Sequence, residues 1–135
     1  MIGVGIITHG EFAHGLKHAT HMIMGDNPQF DVLSLTEGAD MNDFSEDVFS
    51  LANSLNEGDG VLLFVDMFGA TPFNTIAAIR ERLHDSNIAV QIITGVNLSM
   101  VIESLAMRQG NSLNDLVPAI EAAGKESIRA VELPK

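Results

Sequence analysis

A histidine and a carboxylate each follow one of the apolar runs of this chain. His9 comes directly after IGVGIIT (residues 2–8), and Asp66 ends VLLFVD (residues 61–66). A carboxylate beside an imidazole accepts a hydrogen bond from one ring nitrogen, fixes the tautomer and leaves the other nitrogen free as a nucleophile or base. It also stabilises the positive charge of a ring that carries a phosphoryl group. The two residue types are therefore suited to group transfer through a histidine, provided that the fold brings them together.

Thr71 offers a hydroxyl close to this pair in the sequence. It stands five residues after Asp66 and directly before Pro72, the pattern of a helix N-cap followed by proline at the first helical position. Free N–H groups at a helix start favour an anion such as a phosphoryl group. The residues expected to bring main chain close to that anion are Gly10, Gly69 and Ala70. Each side chain also has a simpler interpretation: His9 as a polar loop residue, Asp66 as the cap of a turn and Thr71 as a helix N-cap. Only their joint placement at the ends of the strands favours phosphoryl transfer.

Three more histidines follow His9 within one predicted helix: His14, His18 and His21. At about 100° per residue they lie on one face of that helix, opposite a predicted core stripe. The stripe consists of Phe12, Leu16, Ala19 and Ile23. We interpret the histidine face as a surface that meets solvent or a partner protein. The alternative is a zinc or nickel site, with His14 and His18 at i, i+4 as ligands and His21 as a third.

The segments that must position these residues alternate between apolar runs and helical patterns. Strands are predicted at residues 2–8, 30–35, 61–66 and 90–94, and helices near 11–24, 41–56, 72–84, 98–108 and 112–123. Uniformly apolar strands separated by helices are typical of a parallel sheet that is buried on both faces. The predicted fold class is α/β: a doubly wound, four-stranded parallel sheet covered by helices on both faces.

The order of the strands decides whether His9 and Asp66 meet. In common doubly wound orders the first and third strands are neighbours. The strand order reverses between them, which defines the topological switch point. Ligands bind at this switch point, outside the carboxyl ends of the strands. We therefore expect the histidine and the carboxylate to lie side by side at the functional edge of the sheet.

Local signals mark the late elements. Asn97 is a predicted N-cap, and Gly110 and Gly124 are predicted to end the two last helices. A C-terminal strand is predicted over residues 126–133, where SIRAVEL (127–133) alternates in polarity. Alternation suits the edge of a sheet, in this subunit or in a neighbouring one. The length of 135 residues fits a single domain, residues 1–135.

Composition excludes several classes of function. The formal net charge is −11, with 7 basic and 18 acidic residues, so the basic footprint of a nucleic-acid or anionic-membrane binder is missing. A basic protein partner remains compatible with this charge. The absence of cysteine excludes disulfides, thiolate metal sites and cysteine nucleophiles, and it fits a cytosolic protein. No apolar run approaches the roughly 20 residues that a membrane span needs.

Other proteins with this layout lack support from the residues. A phosphorelay receiver would also place an aspartate at Asp66, but it needs an acidic cluster after the first strand and a lysine after a late strand, and neither is present. A flavin-binding domain would use tryptophan or tyrosine, and the chain has neither. The nucleotide-binding patterns GxxxxGK[ST] and GxGxxG are absent. A non-catalytic interaction module remains open, although it would not explain a histidine and a carboxylate at one edge.

Three segments together resemble the IIA component of the mannose-type phosphotransferase sugar uptake system. They are IGVGIITHGEFAHGL, VLLFVDMFGATPFN and ITGVNLSMVIE, in order and over nearly the whole chain. The resemblance implies a cytoplasmic phosphocarrier without a cofactor, in which His9 is phosphorylated on Nε2 while Asp66 holds Nδ1. It implies that Thr71 contacts the phosphoryl group. The segment DMFGATP departs from the family, in which tryptophan and a second glycine are frequent, so the contact surface is expected to differ.

The resemblance also implies the partners. The carrier protein HPr would donate the phosphoryl group, and the cognate IIB component, as a separate polypeptide or as a domain lost from this chain, would accept it. The membrane components IIC and IID would act further downstream. No lysine or arginine follows the end of a strand, so these partners are expected to supply the cations. A homodimer that exchanges the C-terminal strand is implied as well. Two alternatives stay open: a IIA-like phosphoryl donor subunit for a dihydroxyacetone kinase, and a regulatory module that reports phosphorylation state.

Overall fold

A computed structural model describes all residues of the chain, 1–135. Its strands are β1 (Gly3–His9), β2 (Phe30–Leu35), β3 (Val61–Val65) and β4 (Val90–Ile93). Its helices are α1 (Phe12–Met24), α2 (Met41–Leu55), α3 (Thr71–Ala78), α4 (Arg80–Asp85), α5 (Leu98–Met107) and α6 (Leu113–Glu126). None of these helices has the length and the apolar character that crossing a bilayer demands.

The four strands form one parallel sheet in the order β2-β1-β3-β4. The chain passes from β1 to β2 on one side and then to β3 on the other, so the switch point lies between β1 and β3. The register pairs Ile7 with Val65, and the residues that follow this pair are therefore neighbours. The predicted fold class is confirmed.

Two apolar cores cover the two faces of the sheet. On one face, α1, α5 and α6 pack against side chains such as Val4 and Phe64. On the other face, α2, α3 and α4 pack against side chains such as Ile7 and Leu63. Strand side chains alternate between the two faces, which is why both faces of β1 and β3 are apolar. Phe64 is completely buried, and truncating a phenylalanine in such a position costs about 3–5 kcal/mol of stability.

The structure corrects the start and the length of the predicted helix 72–84. Ala70, with extended dihedral angles, is the N-cap residue, and Thr71 is the first helical residue with no capping side-chain bond. The helix is also interrupted at Ile79, where φ is −98° and ψ is 12°, so α3 and α4 are separate. The hydroxyl of Thr71 is therefore free of the capping role that the sequence suggested.

Gly124 does not end the last helix. It lies inside α6, where a Cβ atom would stand 2.4 Å from the Cε atom of Met100. Its carbonyl accepts a hydrogen bond from the side chain of Asn97, which is the N-cap of α5 as predicted. The glycine thus allows close packing of α6 on α5, a requirement that local sequence signals do not reveal. α5 ends at Met107 with Arg108 as its C-cap, and Gly110 lies two residues later with φ of 79°, in the turn after the helix.

The buried stripe of α1 differs from the prediction. Ala13, Leu16 and Thr20 face the core, whereas Phe12 is 49% exposed and Ile23 is 60% exposed. Thr20 is accommodated because its hydroxyl donates to the carbonyl of Leu16. The helix is rotated toward its small residues, which lets it approach the sheet closely.

The C-terminal residues form no strand in this chain. Glu126 ends α6, and residues 127–135 carry no regular secondary structure. The apolar side chains Ile128, Val131 and Leu133 are exposed by 77%, 73% and 85%. The prediction of an edge strand within this subunit is therefore wrong, while a strand lent to a neighbour stays a prediction.

Candidate functional site

The carboxyl ends of β1 and β3 bring His9 and Asp66 together across 57 residues of sequence. Nδ1 of His9 lies 2.6 Å from Oδ2 of Asp66, and the main-chain N–H of His9 donates to the same oxygen at 2.9 Å. The other carboxylate oxygen, Oδ1, accepts the main-chain N–H of Met67 at 3.0 Å. One carboxylate therefore holds both the ring and the backbone of the histidine.

The ring and its carboxylate differ in exposure. The His9 side chain is 50% exposed, whereas that of Asp66 is 13% exposed. Because Nδ1 is engaged, Nε2 is the free ring nitrogen, and it makes no hydrogen bond within the protein. The geometry presents a nucleophilic nitrogen to an incoming group and keeps its orienting carboxylate covered.

Burial and hydrogen bonding act in opposite directions on Asp66. Partial burial acts to raise the pKa of this carboxyl group. The hydrogen bonds from the main chain and ring of His9, the charge of the ring and the N–H of Met67 outweigh burial, and the pKa lies below its ordinary value of 3.8. Asp66 is therefore a carboxylate at neutral pH and stabilises positive charge on the His9 ring.

The loop after Asp66 leads into α3 with unpaired main-chain donors. The N–H groups of Gly69, Ala70 and Thr71 have no hydrogen-bond partner in the protein, and neither has the hydroxyl of Thr71. Gly69 has φ of 77°, a left-handed conformation that residues with a Cβ atom adopt with strain. The helix that begins here contacts β1, the strand that carries His9. These donors suit an oxyanion next to the histidine.

Gly10 shapes the other side of the site. It has φ of 54°, and its N–H donates to the carbonyl of Leu35 at 2.9 Å, which joins the end of β1 to the end of β2. A cleft beside the ring is lined by His9, Gly10, Leu35, Thr36 and Glu37. Gly10 thus turns the chain sharply away from His9 and leaves the ring open on this side.

Thr8 belongs to the site although the sequence analysis did not single it out. It is completely buried, its hydroxyl accepts the N–H of Ala13 at 2.8 Å, and it donates to the carbonyl of His9 at 3.2 Å. It thereby ties the start of α1 to the end of β1. The sequence did contain a signal for this contact. Thr8 is a hydroxyl residue directly before His9 and five residues before Ala13, near the start of the predicted helix.

The other histidines do not join the site or form a second one. His14, His18 and His21 are exposed on α1, as the surface interpretation predicted. Nδ1 of His21 lies 2.9 Å from Oδ1 of Asp26. No group of three or more histidine, aspartate or glutamate side chains is arranged to hold a metal ion, so the alternative of a metal site gains no support.

Exposed apolar side chains follow His9 and Asp66 closely along the chain. Phe12, Met67 and Phe68 are exposed by 49%, 61% and 77%. The ring of Phe68 packs on that of Phe73, with centroids 4.9 Å apart. Lys125 lines a cleft together with Phe68 near the end of β4, so one cation does lie near this rim, contrary to the expectation from the strand ends.

Several known proteins are similar to this chain in sequence. The protein-family model described as "PTS system fructose IIA component" matches residues 3–121, where PTS denotes the phosphotransferase system. The chain is 30% identical over 129 residues to the fructose-specific EIIA component of Bacillus subtilis, covering 96% of this chain and 86% of that protein. It is 28% identical over 133 residues to the mannose-specific EIIAB component of Escherichia coli, covering 97% of this chain and 40% of the length of that protein.

A solved structure shares the fold. The EIIA component of the phosphotransferase system from Streptococcus agalactiae superposes with a TM-score of 0.86 and 24% identity, covering 96% of this chain and 97% of that one. The match of the family model spans most of the chain, including the strands and loops that carry His9, Asp66 and Thr71. The chain therefore belongs to the family of mannose-type PTS IIA components.

Proposed function

We propose that this protein is a histidine phosphocarrier that accepts a phosphoryl group from phospho-HPr on Nε2 of His9 and passes it to a IIB component. Membership of the family implies phosphoryl transfer in sugar transport. The observation that carries the finer proposal is the 2.6 Å contact between Nδ1 of His9 and Asp66, which leaves the other nitrogen of a half-exposed ring free.

The transfer step follows from this geometry. The lone pair of Nε2 attacks the phosphorus atom, the bond from phosphorus to the donor nitrogen breaks, and its electron pair returns to the histidine of the donor. The His9 ring then carries positive charge, which Asp66 stabilises through Nδ1. Bond formation and bond breaking both involve imidazole nitrogen, so the two sides of the reaction are close in energy. The protein contributes positioning and electrostatic stabilisation.

The loop after Asp66 is proposed to bind the transferred oxygens. The free N–H groups of Gly69, Ala70 and Thr71 and the free hydroxyl of Thr71 supply hydrogen bonds without bringing a full positive charge. Such donors stabilise the charge that the phosphoryl oxygens carry during transfer. This arrangement suits a carrier, because a phosphoryl group held too tightly would not be passed on.

The surface around His9 is suited to binding protein partners. Exposed Phe12, Met67 and Phe68 supply apolar area, and the net charge of −11 favours a basic partner. Cations of HPr and of IIB would compensate the phosphoryl charge. IIB would then phosphorylate the sugar during its import through the membrane components IIC and IID, and neither of these would contact this chain. The relatives described above are named as sugar-specific components, which favours sugar transport over a kinase partner.

A homodimer with exchanged C-terminal strands forms part of the proposal. The outer edge of β4 has no strand partner, and a cleft beside it is lined by apolar residues including Ile76, Leu83, Ile92 and Leu113. Residues 127–133 have no regular secondary structure and carry exposed apolar side chains. The segment of one copy would pair with the β4 edge of the other and cover both apolar surfaces.

The test is phosphoryl labelling. The protein is incubated with labelled phosphoenolpyruvate, the first enzyme of the system and HPr, and acid-labile protein-bound phosphate is counted. We expect His9→Ala to abolish labelling and His14→Ala, which changes an exposed histidine on α1, to leave it intact. Full labelling of His9→Ala would overturn the proposal.

A further inference from the structure

We propose that Asn74 is a positioning residue for phosphoryl transfer, because its carboxamide orients the peptide between Gly69 and Ala70 so that the N–H of Ala70 faces the phosphoryl group on His9. The inference rests on the proposed function. It adds a residue outside the set of His9, Asp66 and Thr71.

Asn74 holds two successive carbonyl groups of the loop. Its side-chain Nδ2–H donates to the carbonyl of Gly69 at 2.9 Å, and its main-chain N–H donates to the carbonyl of Ala70 at 2.9 Å. The second bond is the first regular bond of α3. The first bond reaches one residue further back than the helix can, into the segment that has no regular structure.

The orientation of one peptide group links Asn74 to the anion site. In a trans peptide the C=O and the following N–H point in opposite directions, and the chain contains no cis peptide. Holding the carbonyl of Gly69 toward Asn74 therefore turns the N–H of Ala70 to the opposite side of the loop. That N–H has no partner in the protein and remains available to an oxyanion.

The loop needs such a contact because the backbone conformation of Gly69 is not restrained by a side chain of its own. Gly69 adopts φ of 77°, and nothing stands within 4 Å of where a Cβ atom would be, so neighbouring side chains do not confine it. Glycine loses more conformational freedom on ordering than any other residue. The bond from Asn74 substitutes for the missing packing and prepares the donor before the phosphoryl group arrives.

The exposure of Asn74 separates its role from folding. Its side chain lies at the surface and belongs to neither apolar core. Removing the amide donor is therefore expected to leave the sheet and the His9–Asp66 contact in place. Asn111 offers a matched control, because its exposed Nδ2–H also donates to a main-chain carbonyl, that of Met107, at the distant end of α5.

The experiment compares Asn74→Asp, Asn74→Ala and Asn111→Asp with the unaltered chain. Asn74→Asp preserves shape but cannot donate, and we expect it to lower kcat for transfer from phospho-HPr roughly 10- to 100-fold, with KM changed by about twofold or less. Asn74→Ala should show a similar loss, and Asn111→Asp should transfer at the normal rate. Asn74→Gln keeps the amide donor and should recover part of kcat. Far-UV circular dichroism checks that each variant is folded.

Nuclear magnetic resonance supplies a readout that a purely structural role would not change. The amide signal of Ala70 should shift on phosphorylation of the unaltered chain, and this shift should shrink in Asn74→Asp. Normal kcat in folded Asn74→Asp and Asn74→Ala would overturn the inference while leaving the phosphocarrier proposal intact. If the unaltered chain is not labelled on His9, the proposed function fails and this inference falls with it.

Discussion

At residue 66, a single carboxylate oxygen accepts hydrogen bonds from both the ring and the main chain of His9. The main-chain bond fixes where the side chain starts, and the ring bond fixes how it is rotated. Two contacts to one oxygen thus define the direction of Nε2 more closely than a ring contact alone. The residue type matters, because only an ionised carboxylate accepts both bonds and also stabilises a charged ring.

The pKa of Asp66 leads to a pH-dependent prediction for Asp66→Asn. Since the pKa is lowered in the folded state, ionisation of Asp66 adds stability above its ordinary pKa of 3.8, and this stability is lost as pH falls through the folded value. We expect the substitution to lower the free energy of unfolding by about 1 kcal/mol at neutral pH. Urea unfolding across the acidic range measures the difference between the two chains. A difference that stays constant from neutral pH to well below the ordinary pKa would contradict the assignment.

At the scale of elements, β1 is anchored at both ends. Its last residue, His9, is bound to Asp66 after β3, and Ile2, directly before its first residue, is bound by Arg108, which follows α5. The guanidinium group of Arg108 is almost completely buried and donates to the carbonyls of Ile2, Pro28 and Gln29 at 3.2, 2.5 and 2.9 Å. Burial lowers the pKa of Arg108, and the charge of Glu57 opposes this effect. The side chain fixes the starts of β1 and β2 relative to α5.

Replacing Arg108 by lysine tests this anchor. Lysine keeps the charge but lacks the planar fork that reaches several carbonyls, so buried acceptors are left unpaired. We expect Arg108→Lys to lower the free energy of unfolding by about 2–3 kcal/mol. Urea unfolding at neutral pH measures the loss.

Arg82 is the control for this prediction. It binds both carboxylate oxygens of Glu46 at 2.6 and 3.2 Å but is partly exposed. Its contact lies at the surface, where ion pairs contribute about 0–1 kcal/mol, so Arg82→Lys should cost less. Equal losses in the two variants would show that burial of Arg108 is not the cause.

At the scale of the whole molecule, two apolar surfaces remain uncovered in a single copy. One is the cleft along the free edge of β4, and the other is the irregular segment after α6. Exposed apolar surface next to an unpaired strand edge favours association. The proposed phosphoryl transfer uses His9, Asp66 and Asn74, and all three belong to one chain. We therefore expect association and phosphoryl transfer to be separable.

Deletion of residues 127–135 tests whether association can be separated from phosphoryl transfer. We expect the full chain to sediment as a dimer and the truncated chain as a monomer, because the exchanged strand is removed. His9 of the truncated chain should still accept the phosphoryl group. Analytical ultracentrifugation measures the first effect and labelling the second. A truncated chain that remains dimeric would rule out strand exchange as the basis of association.

The sequence by itself determined the four strands, the helices between them and their order along the chain, but not the break at Ile79 or the lack of a strand after α6. Apolar runs and helical periodicity depend on near neighbours in the chain, so the four strands and the Asn97 cap follow from local patterns. The position of His9 and Asp66 at strand ends was predictable for the same reason. Their joint placement was predictable because few parallel-sheet orders are common.

Only the tertiary structure decided the features that depend on distant contacts. The close approach of Met100 explains why a glycine, Gly124, stands inside α6, and the approach of α1 to the sheet buries Ala13 instead of Phe12. The ring and the main-chain N–H of His9 share one oxygen of Asp66, and this arrangement depends on the register of β1 against β3. Such contacts join residues far apart in sequence, and their geometry is set by close packing of the whole interior and not by any local pattern.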